Sequence, residues 1–86
     1  MQIFFKKSFV KQYHKLQKTD RLKVDNALVL FEKNHFHPSL KNHALTGKLA
    51  GKRSIAAGFD LRLVFEMKGN YVTVIMLGLG THNQVY

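Results

Sequence analysis

The apolar residues of this chain change their spacing once, and the change divides it into a helical half and a strand half. Before residue 34, Phe9, Tyr13 and Leu16 fall at i, i+4 and i+7. Val24, Leu28 and Phe31 repeat that spacing, with Leu22 and Val29 beside them. After His43 the period is two: Leu61, Leu63, Phe65 and Met67 alternate with Asp60, Arg62, Val64 and Glu66. The first pattern lays an apolar stripe on a helix, the second an apolar face on a strand. The two can share one core only if helices cover a face of a sheet, so the fold class is α+β.

Local signals set the expected order of elements. Residues 2–5 are short and apolar, an edge strand. Ser8 can cap a helix over residues 8–18. Thr19 and Asp20 break it and open a second helix that fades near Asn34. Phe36 and His37, ahead of Pro38, are extended, because a residue before proline disfavours the helical region. Residues 52–57 form a strand, joined through Gly58 and Phe59 to the strand that opens at Asp60. Lys68, Gly69 and Asn70 turn the chain into a last strand over residues 71–79. The result is a single domain, 1–86: a short N-terminal strand, two helices packed on one sheet face, and an antiparallel meander whose other face is partly free. A two-residue hairpin at Gly58 and Phe59 would pair Ala57 with Asp60, Ile55 with Arg62 and Arg53 with Val64. That register puts Arg53 with Asp60 and Arg62 on the free face, and a slip of one residue would move it to the other.

Composition narrows the function classes. With 86 residues, 45% of them hydrophobic, the chain can build one core that buries roughly 60–65% of its unfolded surface. It has no cysteine, which excludes disulfides and thiolate metal sites and fits a reducing compartment. Three apolar residues, Ile3, Phe4 and Phe5, precede two lysines, too few for a signal peptide. The longest apolar run, 72–79, is far below the roughly 20 residues of a membrane helix. A soluble, cytoplasmic protein without membrane contact is expected. Lysine and arginine number 14 against 5 acidic residues, a net charge of +9. Such a balance suits a polyanion: nucleic acid, an acidic protein or an anionic surface. Lys11, Lys15, Lys18, Arg21 and Lys23 read equally as contacts to RNA or as a solvated helix face.

The last seven residues, Gly80-Thr81-His82-Asn83-Gln84-Val85-Tyr86, carry the clearest chemistry. A strand that ends in Gly-Thr-His sets an imidazole at the rim of a sheet, and histidine exchanges protons near neutral pH. Tyr86 offers a ring that could stack on a base, or a cap for the core. His35 and His37 flank Phe36, but a lone H-x-H pair lacks a third ligand, so neither a metal nor a cofactor is expected.

The segments His43-Ala44-Leu45-Thr46-Gly47, Leu49-Ala50-Gly51-Lys52-Arg53-Ser54-Ile55, Asp60-Leu61-Arg62-Leu63-Val64-Phe65 and Gly80-Thr81-His82, with the closing Val85-Tyr86, resemble the RelE/ParE superfamily of toxins, and most closely its YafQ branch. The resemblance spans essentially the whole chain. It implies a ribosome-dependent mRNA endonuclease that needs no metal, acts on mRNA in the ribosomal A site and is silenced by a cognate antitoxin. It also implies that the RNA 2′-hydroxyl attacks the adjacent phosphate and the 5′-hydroxyl leaves. By position, the resemblance assigns catalytic roles to His43, Asp60, His82 and Tyr86, and phosphate binding to Arg53 and Arg62. One position departs: where the branch often has a further histidine, this chain has Ala56.

The residue types suit that reaction. Two histidines can supply a base at the 2′-oxygen and an acid at the leaving oxygen, with His82 the expected acid and His43 the base or substrate orienter. The reverse assignment fits the sequence nearly as well. Asp60 could orient an imidazole or act as base, and arginines can hold the phosphate oxygens. Two other functions stay open: a ParE-like toxin that inhibits DNA gyrase without catalysis, and an RNA-binding module without chemistry. Asp60 and Arg62 could also be a plain surface ion pair.

Overall fold

The computed structural model describes all 86 residues. Strand β1 (Gln2–Phe5) leads into helices α1 (Lys7–Lys15) and α2 (Lys18–Lys33). The strands β2 (His43–Ala44), β3 (Arg53–Ala57), β4 (Leu61–Lys68) and β5 (Thr73–Thr81) follow, and a one-turn helix α3 (His82–Val85) closes the chain. The sheet order is β1-β5-β4-β3-β2. Only the β1–β5 pair is parallel; the other three are antiparallel. The α+β class, the edge position of the first strand and the helix pair before a meander are all as the sequence predicts. No helix is long and apolar enough to cross a membrane.

The core lies between the two long helices and one sheet face. Phe9, Val24, Ala27 and Phe31 meet Ile55, Leu63, Phe65, Val74 and Met76, all buried. On α2 the inward stripe is Val24, Ala27 and Phe31, while Leu22 and Val29 are exposed. Ala27 joins this stripe beside the expected Leu28, which is half-buried and packs against the core from its margin. The Tyr13 hydroxyl donates to Asp25 Oδ1 at 2.7 Å and ties α1 to α2. That bond holds the phenol's pKa above its ordinary value.

Several boundaries differ from the sequence reading. Ser8 does not cap α1; Lys6 holds that position. The Ser8 hydroxyl instead donates to the Leu77 carbonyl at 2.7 Å, fastening the helix to β5. The break between the helices falls at Leu16 and Gln17, three residues earlier than Thr19 and Asp20 suggest. In β5, Val64 pairs with Gly78 but Phe65 with Met76, so Leu77 is an extra, bulged residue. The bulge switches which side chains face the helices, from Val74 and Met76 to Leu79.

The register at the β3–β4 hairpin is the most consequential correction. Ala57 pairs with Leu61, Ala56 with Arg62, Ile55 with Leu63 and Arg53 with Phe65. The connection is therefore three residues, Gly58, Phe59 and Asp60, with Gly58 at φ +70°. One more turn residue flips every β3 side chain relative to the two-residue expectation. Arg53 now shares the helix-bearing face with Ile55, and Ser54 and Ala56 share the opposite face with Arg62 and Val64.

That opposite face is less free than expected. Ser54, Ala56 and Val64 are buried, and α3 folds back across this face against β5 and β4. Gly80 permits this close approach: a Cβ there would come within 2.7 Å of Gln84 Oε1. The turn is held by the Thr81 N–H donating to that same oxygen at 2.8 Å, as the T-x-x-Q pattern of a helix start favours.

Candidate active site

His82 stands on a ridge between two clefts. The first, about 420 Å³, is lined by His43, Thr46, Lys48, His82 and Tyr86 among others. The second, about 400 Å³, is lined by Lys41, Asp60, Arg62, His82 and Asn83. His82 occupies the first position of α3, directly after the last strand residue. Its ring meets Tyr86 edge to face, with centroids 4.6 Å apart and planes at 89°. Tyr86 is anchored in turn, since its hydroxyl donates to the buried Ser54 hydroxyl. The one turn of α3 thus sets His82 and Tyr86, four residues apart, against each other over the sheet.

His43 comes from the edge strand β2, opposite Ser54. Its Nδ1 lies 2.7 Å from the Lys41 carbonyl. A carbonyl only accepts, so Nδ1 carries the hydrogen, and in the neutral ring Nε2 is the unprotonated nitrogen. Lys41 is held in the left-handed region, φ 49°, which turns its carbonyl to this task while its side chain lines the second cleft.

Asp60 and Arg62 do not form an ion pair; the chain's one salt bridge joins Lys23 to Asp20. The Arg62 Nη1 group donates to the carbonyls of Phe59 at 3.2 Å and Leu61 at 2.8 Å. The remaining guanidinium N–H groups stay available to an anion. Asp60 is exposed in the turn beside it.

Arg53 is not brought to this site. On the helix-bearing face, its Nε–H donates to Asn42 Oδ1 at 2.9 Å, and its guanidinium carbon lies 5.8 Å from the Phe36 ring centre. Asn42 in turn donates to the His35 carbonyl and the Tyr71 hydroxyl. His35 stacks on Tyr71 and bonds the Phe31 carbonyl, and His37 accepts from the Ser39 N–H. These histidines serve local structure.

Sequence reasoning missed Lys41 and Lys48 as cleft residues and Ser54 as the anchor of Tyr86. Lys41 had a signal, two positions before His43. Ser54 had one too, as a polar residue among apolar strand neighbours.

Known proteins share this fold. The family model described as "Bacterial toxin of type II toxin-antitoxin system, YafQ" matches residues 1–86. Comparison with curated proteins returns no match. Among solved structures, YafQ from E. coli strain BL21(DE3) superposes with a TM-score of 0.81 at 20% identity, over 98% of this chain and 96% of that one. A YoeB/ParE toxin from Agrobacterium tumefaciens gives 0.75 at 21%, over 95% and 99%. The toxin in the E. coli DinJ-YafQ toxin-antitoxin complex gives 0.74 at 22%, over 98% and 94%. With a family model matched from the first residue to the last, this chain belongs to the YafQ family of bacterial toxins of type II toxin–antitoxin systems.

Proposed function

We propose that the chain is a ribosome-dependent mRNA endonuclease, held silent by a cognate antitoxin. The observation that carries the reading is His82 on the ridge between a cleft with His43 and a cleft with Arg62. In the proposed reaction, His43 Nε2 takes the proton of the RNA 2′-hydroxyl. The 2′-oxygen bonds to the adjacent phosphorus, and the bond from phosphorus to the 5′-oxygen breaks. The protonated His82 gives its proton to that oxygen, leaving a 5′-hydroxyl and a 2′,3′-cyclic phosphate. Arg62 and Lys41 carry the charge that grows on the phosphate oxygens. Tyr86 fixes the His82 ring and offers its exposed edge to a base. Asp60 is the acidic neighbour that can hold an imidazolium. The hydrogen bond that sets the His43 tautomer favours His43 as base over the reverse assignment.

The antitoxin partner follows from the family and from the complex seen for E. coli YafQ. A surface of net charge +9 suits an acidic or amphipathic segment. The ribosome supplies substrate alignment that a shallow, exposed site lacks.

The test is primer extension on a reporter mRNA carried by purified ribosomes. The expected result is discrete cuts in the coding frame whose upstream fragments end in a cyclic phosphate. Intact mRNA with blocked DNA supercoiling would replace this reading by gyrase inhibition. Salt-dependent RNA binding without product would replace it by a binding module.

The two arginines should separate in the same assay. Arg62→Ala is expected to lower cleavage about 10²-fold or more, as loss of a charge-stabilising donor does. Arg53→Ala is expected to leave cleavage nearly unchanged and cost about 1–2 kcal/mol of stability, because Asn42 loses its charged partner. Urea unfolding of both variants checks the second half.

A further inference from the structure

We infer that Phe59 is a stacking platform for one base of the bound RNA, beside the scissile phosphate; this rests on the nuclease reading of the site. Phe59 is 93% exposed at the tip of the β3–β4 hairpin, so it adds nothing to the core. Its backbone is nonetheless held in place. Gly58 takes a conformation open to glycine, and the Arg62 guanidinium clamps the carbonyls of Phe59 and Leu61 on either side of Asp60. The ring lines the second cleft with Lys41, Asp60, Arg62, His82 and Asn83, and it is the one hydrophobic residue there.

The surroundings choose the ligand. An aromatic anchor for a protein partner sits in an apolar, water-excluding patch. A bare phenyl ring among cations and short polar side chains matches single-stranded nucleic acid, which offers a π-face to the ring and a phosphate to the cations. Tyr86 borders the first cleft and Phe59 the second, with His82 between them. The ligand is therefore two adjacent nucleotides, one base toward each ring and their shared phosphate at His82 and Arg62. Asp60 and Asn83, next to Phe59, carry the acceptors and donors that could read that base's edge. Phe59 is thus a binding residue for the nucleotide on the Arg62 side.

The chain has no tryptophan, so Phe59→Trp gives a reporter with a single tryptophan, excited at a wavelength the tyrosines do not absorb. The probe is a 2′-O-methyl RNA tetranucleotide, which binds but cannot react because its 2′-oxygens are blocked. A second probe of equal length and charge carries abasic sites. Emission of the Phe59→Trp protein should fall on adding the first probe and change little with the second. Phe59→Ala should weaken binding of the first probe about tenfold. Its affinity for the abasic probe and its salt slope should match the native chain, since no phosphate contact is lost. Equal affinity of native and Phe59→Ala proteins for the first probe, with unquenched emission, would overturn the inference and make the ring a protein contact. Failure of the native chain to bind either probe would overturn it as well. The nuclease reading fails separately, if the native chain leaves mRNA intact on programmed ribosomes.

Discussion

His82→Ala should slow mRNA cleavage about 10²–10⁴-fold, the usual contribution of a positioned acid or base, without unfolding the protein. The side chain is exposed and its ring packs on Tyr86 outside the core, so its loss leaves the core intact and the melting temperature close to native. His43→Ala should fall in the same range. The double variant should cost far less than the product of the two, because acid and base act in one step. The roles can be told apart by the leaving group. A substrate with sulfur in place of the 5′-oxygen expels a thiolate, which needs little protonation, since a thiol ionises near pH 8.5. That substrate should restore most of the rate to His82→Ala and none to His43→Ala. Rescue of His43→Ala instead would exchange the two roles. His43→Asn tests the alternative that His43 only orients. An asparagine amide can keep the donation to the Lys41 carbonyl but cannot take a proton, so a base predicts an inactive variant and an orienter an active one. Unchanged rates in both alanine variants would remove the mechanism.

The fold was largely legible because its strongest signals are periodic. Leu61, Leu63 and Phe65 could face only one way, and Gly69 and Asn70 could only be a turn. The site was legible in its parts but not in its assembly. His82 and Tyr86 were readable as a pair; that Thr81 and Gln84 would close a helical turn over Gly80 was also written there, as T-x-x-Q, and went unread. The hairpin register was not legible. Gly58 and Phe59 alone, or with Asp60, make acceptable turns, and local propensity separates them weakly. Packing decides: with three turn residues, Ile55 and Ala57 join Leu61 and Leu63 on the buried face, whereas two would have sent Arg53's side chain to the site and left the apolar faces out of step. The Leu77 bulge was invisible for the same reason, since the group that satisfies its carbonyl is the Ser8 hydroxyl, 69 residues away in sequence. Arg53 was therefore placed on the wrong face by one residue of turn.

Phe31→Ala should be the most damaging change away from the site. Phe31 has no exposed surface and sits at the centre of an aromatic cluster. Its ring lies 5.1 Å from Phe65, 5.3 Å from His35 and 6.0 Å from Tyr71, with the Phe65 and Tyr71 rings edge-on. Removing a buried phenyl group typically costs about 3–5 kcal/mol, lost transfer energy and cavity together. The upper end is expected here, because edge-to-face partners lose energy beyond their buried area. A domain of this length holds only about 4–13 kcal/mol in total. The variant should therefore lose roughly 15–30 °C in melting temperature, with a lower urea midpoint and an unchanged slope. Phe31→Leu keeps most of the volume and should recover more than half of the loss. The defect should also depend on the partner. A bound antitoxin at a thousand times its dissociation constant adds about 4.1 kcal/mol to the folded state, close to what the cavity removes. Phe31→Ala is thus expected to be folded when made with its antitoxin and to unfold once the antitoxin is stripped away, so that a toxin defective only in its core would pass for a catalytic mutant in a growth assay. Urea melts of the complex and of the freed toxin separate the two. A loss below 1 kcal/mol in the freed toxin would mean that the helices and sheet do not pack around Phe31.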